Sequence, residues 1–139
     1  MSNFNLRLVR PDEMPFVYAA WIRSSNREDC RPARVYKARD SSRLITLYMD
    51  QKIWEALLSK RIATLQDNIY VAESEGSLIG FISHNSKTLN YVYVESKFRR
   101  HGLAAEMLKL AGIGSRPVIT HWTPDFHIWS KGSYIWASE

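Results

Sequence analysis

Apolar residues recur along this chain with two periods, and the points where the period changes divide it into elements. Leu6-Arg7-Leu8-Val9-Arg10 alternates with a period of two and predicts a first strand. Arg10-Pro11-Asp12-Glu13 ends it, with Asp12 expected to cap a helix running to about Ser24. In that helix Met14, Val17, Tyr18 and Trp21 share one face. A second helix is predicted from about Leu47 to Leu65. Its broad stripe of Leu47, Ile53, Trp54, Leu57, Leu58, Ile62 and Leu65 reads as core. The period then returns to two. Ile69-Tyr70-Val71-Ala72 and Leu78-Ile79-Gly80-Phe81-Ile82 form a hairpin about Glu75-Gly76, and His84-Asn85-Ser86 turns into a strand ending at Val94. Gly80, inside a strand, marks a bulge or a close backbone approach.

Beyond Val94 the pattern changes again. Tyr91-Val92-Tyr93-Val94 is aromatic and β-branched, Arg99-Arg100-His101-Gly102 is basic and ends in glycine, and Leu103, Met107, Leu108 and Ala111 fall at helical spacing. A helix start carries unpaired N–H groups and a partial positive charge, and glycine admits a ligand close to the backbone. The physical expectation is a phosphate or pyrophosphate site. Gly112 and Gly114 stop that helix, Pro117 to Trp122 suits a fifth strand, and Ser133 to Ala137 suits a terminal edge strand.

Composition narrows the class. The chain has 139 residues, 45% apolar and 12% aromatic, which predicts one globular domain over residues 1–139. No run reaches the roughly 18 apolar residues of a membrane span. The first residues lack the apolar core of a secretion signal, and Cys30 is the sole cysteine, so a cytoplasmic setting is expected. The net charge of +5 is concentrated in residues 22–43. There Arg23, Arg27, Arg31, Arg34, Lys37, Arg39 and Arg43 face only Glu28, Asp29 and Asp40. Pro32 and Ser41-Ser42 suggest a loop, with room for a short helical turn. Such a basic surface suits an acidic acceptor or a nucleic acid, and equally suits a solvated loop. The four histidines and one cysteine show no metal-site spacing, and neither a G-x-S-x-G elbow nor a Walker lysine motif occurs. Cys30 lies among arginines but reads more simply as a plain thiol than as a nucleophile.

The string from Val94 to Leu108, VESKFRRHGLAAEML, closely resembles the acyl-CoA motif of the GCN5-related N-acetyltransferases (GNAT superfamily). Val94, Phe98, Arg99, Gly102, Ala104, Met107 and Leu108 match its pattern, while Ser96 stands where a proline is common. The resemblance implies an α+β, sandwich-like GNAT fold. Its central sheet is mixed but mostly antiparallel, with helices on both faces, in the order β-α-α-β-β-β-α-β. It implies acetyl-CoA as cofactor and acetyl transfer to a primary amine by direct attack in a ternary complex. The cofactor would be held by Val92, Val94, Arg99, Arg100, His101, Gly102, Leu103 and Ala104. The zone between the first two helices would line the acceptor side, with Arg31, Arg34 and Arg39 as its contacts.

Amine acetylation needs a proton acceptor, a proton donor for the leaving thiolate, and donors aimed at the thioester oxygen. A bulge in the strand ending at Val94 would supply the last of these. Candidate bases are Glu73, Glu95 and His121, and candidate acids are Tyr91, Tyr93 and Tyr134. The tail departs from the family pattern, since Trp129-Ser130-Lys131-Gly132 only loosely echoes the usual tyrosine followed by Lys-x-Gly-Phe. The expected molecule is thus a C-terminally shortened version of the fold, with a phage-type relative among the readings the resemblance allows. The alternatives are a fold relative that binds without reacting, or one that modifies or binds nucleic acid through residues 23–43. Partners are a small-molecule or protein amine, with nucleic acid open and no membrane; a monomer or a homodimer paired through the terminal strand is equally allowed.

Overall fold

The computed structural model describes residues 4–25, 33–37, 44–85, 88–99, 101–113, 118–119 and 135–136. Its elements are β1 (Asn5–Leu8), α1 (Met14–Ser24), β2 (Ala33–Lys37), β3 (Leu44–Tyr48), α2 (Gln51–Thr64), β4 (Ile69–Ser74), β5 (Ser77–Asn85), β6 (Thr88–Val94), α3 (Leu103–Leu110), β7 (Val118–Ile119) and β8 (Ile135–Trp136). One six-stranded sheet has the order β1-β4-β5-β6-β7-β8, and β2 and β3 form a separate antiparallel pair. The first four strands of the large sheet are antiparallel, while β6–β7 and β7–β8 pair in parallel. This is the expected α+β, mixed and mostly antiparallel architecture.

Two apolar clusters fill the sheet's two faces. Met14, Val17, Ala20 and Trp21 of α1 and Leu58 and Ile62 of α2 pack on Ile69, Val71, Phe81, Tyr91 and Tyr93. On the other face Leu103 and Met107 of α3 pack on Ala72, Ile79, Ile82, Leu89, Val92 and Val94. Alternation along a strand requires this division, because neighbouring side chains point to opposite faces. The side under α1 is rich in rings: Trp21 stacks on Tyr91 at 4.8 Å, and Phe81 stacks on Tyr93 at 5.6 Å.

Two register shifts bend the meander. Ala72 pairs with Gly80 and Glu73 with Leu78, leaving Ile79 as the extra residue. Ser83 pairs with Tyr91 and His84 with Leu89, leaving Asn90 as the extra residue in β6. The strand ending at Val94 therefore does carry a bulge. Asn90 is buried there and donates its side-chain amide to Ser83 Oγ at 3.1 Å, so the polar group that the bulge turns inward has a partner. Gly80 marks a close approach: a Cβ on it would lie 2.4 Å from the carbonyl oxygen of Tyr93.

The sequence expectations need three corrections. Residues 33–37 and 44–48, read as loop and helix start, are strands in register from Ala33–Tyr48 to Lys37–Leu44. Ala33-Arg34-Val35-Tyr36-Lys37 carries the β-branched and aromatic content of a strand, which its charge obscured. The second helix therefore starts at Gln51, where Asp50 accepts from the N–H groups of Lys52 and Ile53. The cap before α1 is not made by Asp12. A 3-10 turn at Pro11–Glu13 intervenes, and Glu13 accepts from the Arg10 N–H at 2.9 Å. Finally, the α2 stripe is only half core: Leu58, Ile62 and Leu65 are buried, while Leu47, Ile53 and Leu57 are exposed. The apolar stripe is wider than the surface α2 lays against α1 and the sheet.

Candidate functional site

The chemistry-bearing residues gather where β6 ends and α3 begins. Gly102 is the residue before α3 and has φ +76°, the left-handed conformation that costs an L side chain strain. A Cβ there would meet nothing within 4 Å, so this glycine provides direction rather than room inside the fold. The first intrahelical bond runs from Glu106 N–H to the Gly102 carbonyl at 3.1 Å. The N–H groups of the first turn before it have no intrahelical acceptor by construction. Leu103 and Met107 anchor the helix in the core beneath, while His101 and Gly102 are exposed. The result is a helix start preceded by two exposed residues and held from behind by Leu103 and Met107.

β6 is held unevenly. Along its β5 side it pairs from Thr88 to Val94, whereas its described ladder to β7 covers only Thr88 and Leu89. The bulge at Asn90 sits just past the last of these pairs. Val92 and Val94 are buried on the α3 face, and Val94 directs its carbonyl to Arg99, whose Nε donates at 2.7 Å. The Arg99 guanidinium also lies 5.5 Å from the Tyr93 ring centroid, and its side chain is otherwise exposed.

On the α1 face a polar chain crosses from helix to strand. Arg23 donates to Tyr93 Oη at 3.3 Å, and Tyr93 donates to Glu95 Oε1 at 3.2 Å. Beside it the Tyr91 hydroxyl lies 2.7 Å from Ser24 Oγ. Glu95 is half-buried, and its backbone N–H donates to the Ile79 carbonyl at 2.8 Å, which fixes its place at the strand end. Sequence reasoning missed Arg23 and the role of Tyr93. The signal was present, since residues 91, 93 and 95 share one parity along β6 and so one face.

The other candidates are placed elsewhere. Glu73, at the β1 side of the sheet, accepts from Arg7 Nε at 3.1 Å, and Arg7 also grips Glu13 with two bonds of 2.9 and 2.6 Å. The Arg7 hydrogen bonds, aided by the Arg10 N–H and opposed by burial, hold the Glu13 carboxyl down at about 2. The structure brings Glu95 and the Gly102 turn to one end of β6, and leaves Glu73 in an ion-pair network of its own. Arg34 lies on β2; Arg31, Arg39, Arg100, His121 and Tyr134 lie outside the described residues. His84 stacks on Tyr70 at 5.0 Å, and burial pushes its imidazole below the ordinary value. Among the described residues no group of histidine, cysteine and carboxylate side chains could hold a metal, and no helix is long and apolar enough to cross a membrane.

Residues 33–113 match the model of the acetyltransferase (GNAT) domain. The chain belongs to that family. The matched span runs from β2 past the end of α3, so it contains the bulged strand and the Gly102 turn. Among solved structures, similarity is found to a GCN5-related N-acetyltransferase of Rhodopseudomonas palustris. That pair shares 19% identity over 81% of this chain and 68% of the other, with a TM-score of 0.47. The yncA protein of Salmonella typhimurium, solved with its cofactor acetyl-CoA, shares 17% identity over 78% and 61%, at 0.44. This chain therefore spans less than two thirds of that protein. A ribosomal-protein-alanine N-acetyltransferase of Brucella melitensis shares 14% over 98% and 81%, at 0.43. No curated protein sequence matches the chain.

Proposed function

We propose that this GNAT domain transfers an acetyl group from acetyl-CoA to a primary amine, by direct attack within a ternary complex. The observation that carries the reading is the Gly102 turn: an exposed left-handed glycine with no described atom within 4 Å of a Cβ placed on it, leading into α3 just after the basic Arg99-Arg100-His101. These features fit the donor set that a pyrophosphate requires. Leu103, Ala104 and Ala105 would offer backbone N–H groups, with Arg99, Arg100 and His101 alongside as positive or hydrogen-bonding side chains. The β6 edge past Leu89 would bond the amide-bearing arm, through the backbone of Val92 and Val94. The bound cofactor supplies an activated thioester carbonyl.

The remaining work falls to the chain's own residues. Glu95 accepts the amine's proton; it is preferred over Glu73 because Glu73 already answers Arg7, whereas among the described residues Glu95 meets only a tyrosine hydroxyl. The helix α1 covers Tyr91 and Tyr93 and forms one wall of the acceptor side.

Calorimetry with acetyl-CoA tests the reading. The parent chain binds it, and Gly102→Glu, which puts a carboxylate into the anion position, abolishes binding while thermal unfolding stays cooperative. Glu95→Gln leaves acetyl-CoA affinity unchanged and lowers kcat by about 100-fold, the lower end of general-base effects. Equal binding by the parent and Gly102→Glu overturns the site, and an unchanged kcat in Glu95→Gln overturns its role.

A further inference from the structure

Two opposite charges stand near one another at the end of β6 without pairing. Arg23, on the last turn of α1, and Glu95, just past β6, each touch the Tyr93 hydroxyl, at 3.3 and 3.2 Å, and among the described residues neither has an ion-pair partner. The same molecule pairs charges directly elsewhere, with Arg7 bonded to both Glu13 and Glu73. Here the separation is held by packing. Tyr93 is 6% exposed, with Phe81 against its ring at 5.6 Å and Phe16 at 6.4 Å. Its hydroxyl therefore works as a fixed spacer.

Each charge keeps capacity for a ligand. A guanidinium has five N–H donors in a planar fork, and Arg23 uses one of its nitrogens on Tyr93. Among the described residues, Glu95 has one carboxylate oxygen in that contact and the other in none. Arg23 is exposed and Glu95 half-buried, so neither is sealed from a ligand. Arg99, over the Tyr93 ring at 5.5 Å, adds a second cation and leaves positive charge in excess around Tyr93.

We propose that the acceptor is a small amino acid, an amine carrying a carboxylate one or two carbons from its nitrogen. Its amine meets Glu95 and its carboxylate meets Arg23. This assignment rests on the acetyl-transfer reading and gives it a substrate class. A simple alkylamine would satisfy Glu95 and leave Arg23 without an anion. The terminal amine of a lysine side chain has no carboxylate so close. A zwitterion of this span answers both charges at once, and the carboxylate–guanidinium fork fixes its orientation toward Glu95. Arg23 is then a specificity-determining residue.

The test compares L-alanine and β-alanine with ethylamine and L-alaninamide as acceptors, with acetyl-CoA saturating. The two amino acids should be used at least about tenfold better in kcat/KM, the value of one charge-assisted hydrogen bond. Arg23→Gln should raise the KM for L-alanine about tenfold with kcat little changed, change kcat/KM for ethylamine far less, and leave acetyl-CoA affinity as it was. Arg23→Lys should recover part of the loss. Equal use of L-alanine and ethylamine, or an equal loss on both in Arg23→Gln, overturns the proposal. Should no amine be acetylated, saturation-transfer NMR of L-alanine and ethylamine against the CoA-loaded protein decides separately. L-alanine binding that vanishes in Arg23→Gln upholds the site while the transfer reading falls; no L-alanine binding to the parent overturns the site itself.

Discussion

Gly80 and Gly102 are both positions where this fold excludes a side chain, and they do so for opposite reasons. At Gly80, within β5, the backbone of β6 fills the space a Cβ would need, and the constraint is contact. At Gly102, before α3, nothing lies within 4 Å and the constraint is the left-handed φ alone. The meander is thus packed to its limit by its own atoms, whereas the helix start is shaped and left open. Gly76 and Gly112 share that open left-handed geometry, so what singles out the Gly102 turn is the basic sequence before it and the helix it starts.

The largest effect expected from this contrast is at Gly80. Gly80→Ala places a methyl group 2.4 Å from the Tyr93 carbonyl oxygen and 3.3 Å from the Val94 Cα, both backbone atoms that cannot rotate away. β5 and β6 must separate locally, at a cost of about 3 kcal/mol. Urea denaturation should show the midpoint falling with an unchanged slope. Because Tyr93 spaces Arg23 from Glu95, the same shift should disturb the acceptor side. A substitution at Gly80 that is tolerated without loss would break the comparison.

The Arg7–Glu13–Glu73 network, partly exposed and linking β1 to β4, lies between the two extremes. The folded state holds the Glu13 carboxyl at about 2, below the ordinary 4.5, mainly through its hydrogen bonds from Arg7. A depressed carboxyl contributes stability that is fully present above its unfolded value and is lost as pH falls through its folded one. Partial exposure, with Glu13 at 14% and Arg7 at 23%, reduces what that shift is worth. Glu13→Gln should then cost about 1–2 kcal/mol at pH 7. The gap to the parent chain should close between pH 4.5 and pH 2, as read by denaturation at a series of pH values. A gap that stayed constant across that window would mean that the Arg7–Glu13 ion pair is not what the substitution removes.

How far the sequence showed these features depended on whether a local period carried them. The meander and α3 were legible because alternation in Ile69 to Ala72 and Leu78 to Ile82, and helical spacing after Gly102, each lead to one face. The β2–β3 pair was not, because Arg34 and Lys37 drew attention to charge in a stretch whose Val35 and Tyr36 belong in a strand. In the same way, Pro32 and Ser41-Ser42 flank those strands and do not break them. The position of the bulge was invisible for a different reason. One inserted residue, Asn90, leaves the run from Leu89 to Val94 looking continuous while it reverses which face Leu89 joins. Glu73 and Glu95 were equivalent as strand-end carboxylates, and only the partners, Arg7 for one and Tyr93 for the other, separate them.

The smallest effect is expected at Gly102, and it is the sharper test of what the open turn is for. Gly102→Ala meets no atom, so its cost is the left-handed φ alone, about 1 kcal/mol. Gly102→Asn should cost less, since asparagine tolerates that conformation. Thermal unfolding of the two variants measures this order. If alanine there costs as much as at Gly80, the space above the turn is filled in the folded chain, and an outside ligand has no claim on it. If the cost stays near the conformational value while acetyl-CoA affinity falls further in alanine than in asparagine, the backbone angle at Gly102 governs the anion site. The glycine then contributes to recognition far more than to folding.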